Sequence, residues 1–309
     1  MLKATIIKST GSWFTALTGG GKQIPCRIKG KFRIKNIKNT NPVAVGDYVK
    51  LELESDGNGI ITDIEERENY IIRKSTKLSK KYHIIASNVD QAILVISATT
   101  PWTSTFFIDR FLVTAEAYSI PVTIILNKID IYEEKDQLYA GDIIETYENI
   151  GYKTLLVSAL ENKGLNNLVK ILTGKRSLLS GHSGVGKSTL INKIDPSFQL
   201  KTSNLSTLHQ RGKHTTTFAE MHHLKNIDAY VIDTPGVKSF GIIDFEKPEL
   251  YHYFPEFFRY SKNCQFSNCV HIEEPKCAVK SAVKTQKIAI SRYENYLRLY
   301  NGEDLEDEY

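Results

Sequence analysis

The chain has 309 residues, enough for two or three domains with at least one large core. Its 41% hydrophobic and 24% charged residues are ordinary for a globular protein, and no window approaches 18 uninterrupted apolar residues. These features exclude a transmembrane helix, and because MLKATIIKSTGSW lacks the apolar stretch of a signal peptide we expect a cytoplasmic protein; the net charge of +5 permits a polyanionic partner without requiring one.

Residues 1–68 read as short strands separated by turn signals: KATIIKST, WFTALTG, IPCRIKGKFRI, DYVKLELES and GIITDIEER. Apolar and basic residues alternate in Lys31-Phe32-Arg33-Ile34-Lys35, so one strand face is expected in a core and the other to be positive. Strands this short and this close suit a small barrel; an OB-fold is the leading expectation, with an SH3-like barrel or a small sandwich as alternatives. Arg27, Lys29, Lys31, Arg33, Lys35 and Lys38 crowd one segment, and Arg73, Lys74, Lys77, Lys80 and Lys81 another. Such clusters suit phosphate contacts, although plain solvated surface explains them equally well.

From 69 to 247 the pattern changes. Apolar runs at 92–98, 122–126, 154–157, 177–179 and 229–232 alternate with helix-like DRFLVTAEAYS, KDQLYAGDIIETYENIG and GLNNLVKILTG, which predicts a mostly parallel α/β sheet. Asn127-Lys128-Ile129-Asp130 follows the run VTIIL. A carboxylate at Asp130 can accept from the N1–H and 2-amino group of guanine; adenine offers neither in that arrangement and would leave the charge unpaired. A surface turn could read the same way. Ser158-Ala159, closing the run TLLV, adds a companion loop whose backbone N–H would meet the guanine oxygen.

Residues 181–188 read GHSGVGKS, with a further hydroxyl at Thr189, between the apolar SLL and the helical STLINKI. This is a phosphate loop in its required strand–loop–helix setting. Gly181, Gly184 and Gly186 let the backbone curl, so that N–H groups of the loop, His182, Ser183 and Val185 included, point at phosphate oxygens. Lys187 would reach the β- and γ-phosphates, Ser188 would place its hydroxyl on Mg²⁺, and the helix N-terminus adds positive potential.

Gly212-Lys213-His214-Thr215-Thr216-Thr217 follows, and one of its threonines must supply the second hydroxyl to Mg²⁺. Thr216 is the candidate, with Thr217 next; by itself the run reads as a strand start. Asp233-Thr234-Pro235-Gly236 ends the run AYVI: Asp233 would hold Mg²⁺ through water, and the Gly236 N–H would sense the γ-phosphate. Val237 stands where Ras-like GTPases carry a water-orienting glutamine, and valine can neither donate to water nor accept from it. Slow unassisted hydrolysis is therefore expected. His214 is the candidate to orient water, the alternative being a solvent-facing loop histidine.

Small GTPases ordinarily run phosphate loop, switch threonine, DxxG, NKxD, SA. Here NKxD and SA come first, so the motifs are circularly permuted, which is tolerable because domain termini often lie close together. In residues 248–309, Cys264-x4-Cys269-x-His271-x5-Cys277 offers three thiolates and an imidazole, a set suited to closed tetrahedral Zn²⁺; four unliganded reduced side chains are the alternative. Cys26 reads as a small core residue. One helix from about Lys280 to Asn301 and the acidic tail GEDLEDEY complete the chain.

Together NKID, GHSGVGKST, GKHTTT, DTPG followed by an apolar residue, and the C-x4-C-x-H-x5-C cluster resemble the RsgA (YjeQ) family of bacterial small-ribosomal-subunit-dependent GTPases over nearly the whole chain. The resemblance implies an N-terminal OB-like barrel (1–68), a circularly permuted GTPase domain (69–247) and a C-terminal zinc-binding domain (248–309). It implies GTP hydrolysis stimulated by the small subunit during late assembly, with ribosomal RNA bound through barrel and zinc domain. It also implies that a histidine at the position of His214 assists hydrolysis, in company with Lys187, Thr216 and Gly236. GTP or GDP, Mg²⁺ and one structural Zn²⁺ are the expected ligands, and a monomer the expected state. Three other readings compete: an RNA-binding protein with GTP as structural ligand, a GTPase switch with a non-ribosomal partner, and a P-loop kinase or ATPase. Intact Lys187, Ser188 and Asp233 oppose the first, and Asp130 opposes the last.

Overall fold

The computed structural model describes residues 1–28, 42–74, 82–198, 219–233 and 246–303. Five short strands come first: β1 (Leu2–Ser9), β2 (Phe14–Thr18), β3 (Gln23–Ile28), β4 (Tyr48–Leu53) and β5 (Gly59–Ile64). They pair in the order β1-β2-β3-β5-β4, and a β1–β4 pairing closes the ring. Only the β3–β5 pair is parallel. This is the OB-like barrel, and the SH3-like and sandwich alternatives fall. Period-two alternation fills it: Ile24 and Cys26 of β3 point inward while Gln23, Pro25 and Arg27 face out. Burial pushes the Cys26 thiol up to about 11, as suits a core residue. The alternating stretch 31–35, with Lys29 and Lys38, lies outside the described residues.

A hairpin of β6 (Tyr70–Lys74) and β7 (Tyr82–Ser87) stands between barrel and α/β sheet. It departs from the strand–helix alternation expected after residue 69. Its root is tied to the barrel by Asp47, whose carboxylate accepts from Arg67 Nε (2.6 Å) and Nη2 (2.7 Å), Ser87 Oγ (2.6 Å) and the Ala44 N–H (2.8 Å).

The central sheet comprises β8 (Gln91–Ile96), β9 (Val122–Leu126), β10 (Lys153–Leu156), β11 (Arg176–Ser180), β12 (Glu220–Leu224) and β13 (Ala229–Asp233). Their order is β10-β9-β8-β11-β13-β12, parallel except for β12. β8 is buried along its length, as a central parallel strand must be. Its Ala92, Leu94 and Ile96 join one core with α1 (Thr105–Ala117) and α2 (Glu134–Ile150). Its Ile93 and Val95 join another with α3 (Leu165–Leu172) and α4 (Lys187–Ile194) on the opposite face. The five apolar runs read from sequence all sit in this sheet; β12 is the strand that reading lacked. β12 also meets the barrel, pairing Glu220 with Lys8 of β1, so barrel and sheet form one continuous ladder.

α5 (Pro255–Ser261), α6 (Ala278–Lys284) and α7 (Ile290–Asn301) complete the fold. The single helix expected over 280–301 is two. Gln286 adopts φ +56, its N–H donates to Val283 O and that of Lys287 to Ala282 O, which closes α6 with a left-handed cap; extended Ala289 then starts α7. α7 lies against α1 through a buried charge cluster. Arg292 (1% exposed) meets Asp109 of α1 at 2.6 Å and Glu256 of α5 at 2.7 Å, while Tyr147 of α2 and Asn295 also donate to Asp109. Burial works against the Arg292 charge, but Asp109 and Glu256 overcome it and hold the guanidinium well above its usual range. Among the described residues, no helix is long and apolar enough to cross a membrane.

Candidate nucleotide and metal sites

Strands β8, β9, β10 and β11 run parallel, so the loops leaving their C-terminal ends share one edge of the sheet. β11 ends at Ser180, the phosphate-loop sequence follows from Gly181, and α4 starts at Lys187. Two glycines are required by geometry. At Gly181 (φ +139) a Cβ would lie 2.1 Å from Val95 O, and at Gly186 (φ +99) one would lie 2.3 Å from Asn127 Nδ2. Val185 is fully buried and anchors the loop in the core beneath it. Lys187 Nζ curls back over the loop, donating to Gly181 O and His182 O at 2.7 Å each. Ser188 and Thr189 occupy the first turn of α4, half-buried; Ser183 is exposed and Gly184 half-buried.

Asn127, 1% exposed, binds three loops together. Its Nδ2 donates to Val185 O (2.8 Å), its Oδ1 accepts from the Ala159 N–H (3.3 Å), and its own N–H donates to Ile96 O (2.9 Å). NKID, Ser158-Ala159 and the glycine loop, separated in sequence, thus converge. Lys128 adopts φ +71 and its Nζ donates to Thr100 O (2.8 Å); Asp130 sits half-buried in the short 3₁₀ turn that follows. Ser158 is buried and its Oγ accepts from the Glu161 N–H (3.0 Å), shaping the turn after Ala159. Asp233 ends β13 in register with Leu179 of β11, which sets its backbone beside the start of the phosphate loop. His214, Thr215, Thr216, Thr217, Gly236 and Val237 lie outside the described residues.

Two supporting residues escaped the sequence reading. Tyr132 accepts from the Ala98 N–H (3.0 Å) and donates to Asn127 O (2.9 Å), joining the ends of β8 and β9. Phe107 of α1 packs its ring on His182, with centroids 3.7 Å apart. Neither carries a motif; in sequence one is a tyrosine just past NKID and the other an apolar helix position.

The second cluster forms where α5, α6 and the loop between them meet. Cys264, Cys269, His271 and Cys277 place one ligand atom each within 4.8 Å of one another. Cys264 and Cys277 sulfurs are 3.9 Å apart, and His271 Nδ1 stands 3.7, 3.3 and 3.4 Å from the sulfurs of Cys264, Cys269 and Cys277. A tetrahedron with zinc's usual bond lengths has S···S and S···N edges of about 3.8 and 3.6 Å, so the donor set fits Zn²⁺. The Ala278 and Lys280 N–H groups donate to the sulfurs of Cys264 and Cys277, partners suited to thiolates. Tyr293 and Tyr296 of α7 donate to the carbonyls of His271 and Val270, fixing the ligand loop on the helix. Burial pushes the Cys269 thiol up to about 12 and His271 down to about 4, so both are neutral at pH 7 in the metal-free chain.

A phosphate loop and an NKxD loop meeting at one sheet edge in inverted chain order, flanked by an OB-like barrel and a Cys₃His segment, define a circularly permuted P-loop GTPase. The family model described as RsgA GTPase matches residues 64–243, and that of the RsgA N-terminal domain matches 3–61. "Small ribosomal subunit biogenesis GTPase RsgA" of Flavobacterium johnsoniae is 53% identical, covering 98% of this chain and 94% of the relative. A protein of the same description from Christiangramia forsetii is 51% identical over 98% and 97%. Among solved structures, YjeQ from Thermotoga maritima superposes with a TM-score of 0.79 at 35% identity, over 97% of this chain and 98% of that one. YloQ, described as a circularly permuted GTPase, gives 0.74 at 31% identity over 100% and 96%. The chain belongs to the RsgA family of GTPases and is a GTP-hydrolysing enzyme.

Proposed function

We propose that this enzyme hydrolyses GTP on the small ribosomal subunit during its late assembly and that the subunit accelerates turnover. The relatives carrying that description support the partner, and the three-loop junction at Asn127 supports the nucleotide placement. In this reading Asp130, with Asn127, Lys128 and the Ser158-Ala159 turn, holds guanine. Residues 181–189 wrap the phosphates, with Lys187 moving from loop carbonyls to phosphate oxygens. Ser188 and Thr216 would give hydroxyls to Mg²⁺ and Asp233 would hold it through water; the ion would offset charge between the β- and γ-phosphates. Gly236 would sense the γ-phosphate and His214 orient water. Cys264, Cys269, His271 and Cys277 would hold one structural Zn²⁺.

The chain divides at about residues 68 and 247 into barrel, GTPase and zinc domains, and works as a cytoplasmic monomer. Basic barrel residues such as Arg27 would meet ribosomal RNA phosphates, so affinity for the subunit should fall steeply with salt. The deciding experiment is GTP turnover with and without purified small subunits, with Lys187→Ala as control. Stimulation of about a hundredfold or more is expected. No stimulation would remove the ribosomal partner and leave the GTPase standing. Full turnover by Lys187→Ala would remove the phosphate-loop assignment.

A further inference from the structure

We propose that Phe107 is a positioning residue for the phosphate loop, and that helix α7 acts on nucleotide affinity through it. The inference rests on the placement of phosphates at residues 181–189 given above. Phe107 is 3% exposed, and its ring lies against the imidazole of His182 at 3.7 Å between centroids, inclined by 31°. The carbonyls of Gly181 and His182 both accept from Lys187 Nζ. The peptide that carries the His182 ring therefore also sets where the lysine amine sits.

The far side of the loop is fixed independently, by buried Val185 and by Asn127 on its carbonyl. Phe107 supplies the matching support on the near side, and α1 cannot shift freely. On either side of Phe107 in the chain, α7 grips it. Asn295 Nδ2 donates to Thr105 Oγ1 (3.1 Å) and Asp109 Oδ2 (2.7 Å). Arg292 Nη1 donates to Asp109 Oδ1 (2.6 Å), and the Arg298 guanidinium lies 3.6 Å from the centre of the Phe106 ring. A displacement of α7 would break buried charged hydrogen bonds or carry α1, and hence Phe107, with it. The C-terminal segment, whose Tyr293 and Tyr296 also hold the Cys₃His loop, is thereby mechanically joined to the phosphate loop.

The test is the dissociation rate of fluorescent mant-GDP from the full-length chain. Packing between rings of this kind predicts a five- to tenfold faster release, roughly, for His182→Ala, with the KM for GTP raised more than kcat is changed. His182→Phe, which keeps a ring on Phe107, should recover the parent rate. Asn295→Ala and the more exposed Arg298→Ala should each speed release in the parent chain, and add less than about twofold in the His182→Ala background. An unchanged rate in His182→Ala, no recovery in His182→Phe, or undiminished effects of the α7 variants in the His182→Ala background would overturn the proposal. Failure of the parent chain to bind mant-GDP would remove the nucleotide placement and this inference together; binding with any of those three outcomes removes only the coupling.

Discussion

Asn127 uses both ends of its amide on neighbouring loops, and it is buried, so neither Val185 O nor the Ala159 N–H has water to turn to if it is lost. Asn127→Ala should cost about 1–3 kcal/mol for each group left unpaired and weaken GDP binding as the loops part, measurable by thermal melting and nucleotide titration. Asp130→Asn makes a sharper prediction. The amide keeps the shape but presents a donor where the guanine 2-amino group also donates, so GTP affinity should fall about a hundredfold or more. A xanthine nucleotide, with a carbonyl at that position, should gain; competition binding reads both outcomes. These roles were legible because NKID and GHSGVGKS are fixed strings whose chemistry needs those residue types. Tyr132 and Phe107 were not, since a hydroxyl that bridges two strand ends and a ring that backs a loop leave no pattern in the chain.

At the level of elements, legibility followed burial. The runs that became β8, β9, β11 and β13 are rich in apolar residues because inner strands of a sheet flanked by helices are covered on both faces. The edge strand β10 was legible from its apolar Leu155 and Leu156, although neither is buried. β12, Glu-Met-His-His-Leu, buries only Met221 and Leu224 and therefore carries too little of that signal to be found. The break between α6 and α7 escaped because no glycine or proline marks it; Gln286 takes the left-handed cap conformation instead. The cysteine segment was legible from spacing, and its energetics follow from burial. With the Cys269 thiol pushed up to about 12, it is protonated at neutral pH in the metal-free chain, whereas His271, held down to about 4, is already neutral. Zinc must displace the thiol protons and none from the imidazole, so binding should release protons and strengthen as pH rises from 6 to 8. Titrating Zn²⁺ into the reduced, metal-free chain in weak buffer with a pH indicator checks the sign. Removing the metal should loosen the loop that Tyr293 and Tyr296 hold, seen as faster backbone amide exchange there.

Across the whole molecule, the barrel, the central sheet and the C-terminal helices are stitched by polar clusters as well as by apolar contact. Asp47 with Arg67 and Ser87 joins barrel to hairpin, and Arg292 with Asp109 and Glu256 joins α7 to α1 and α5. Arg292→Ala would strand two buried carboxylates, and a loss of about 3–5 kcal/mol is expected in denaturant unfolding. Breaking a surface pair such as Lys50 with Asp63, which water and salt screen, should leave the unfolding midpoint little changed by the same measurement. The permuted order itself was plain from the motifs, but the manner in which the barrel attaches was not, because it depends on one edge of the sheet. β12 is the last strand on that side of the GTPase sheet, and β1 meets it only at Lys8 and Glu220, beyond which a cleft of about 720 Å³ opens between them. The barrel thus works as a bumper. It leaves the strand's outer backbone groups wet yet stands in the path of any foreign strand that would zip onto them. Cutting the chain ahead of residue 69 would unveil that rim, and the shortened protein should clump in sedimentation runs at concentrations where the intact one stays dispersed.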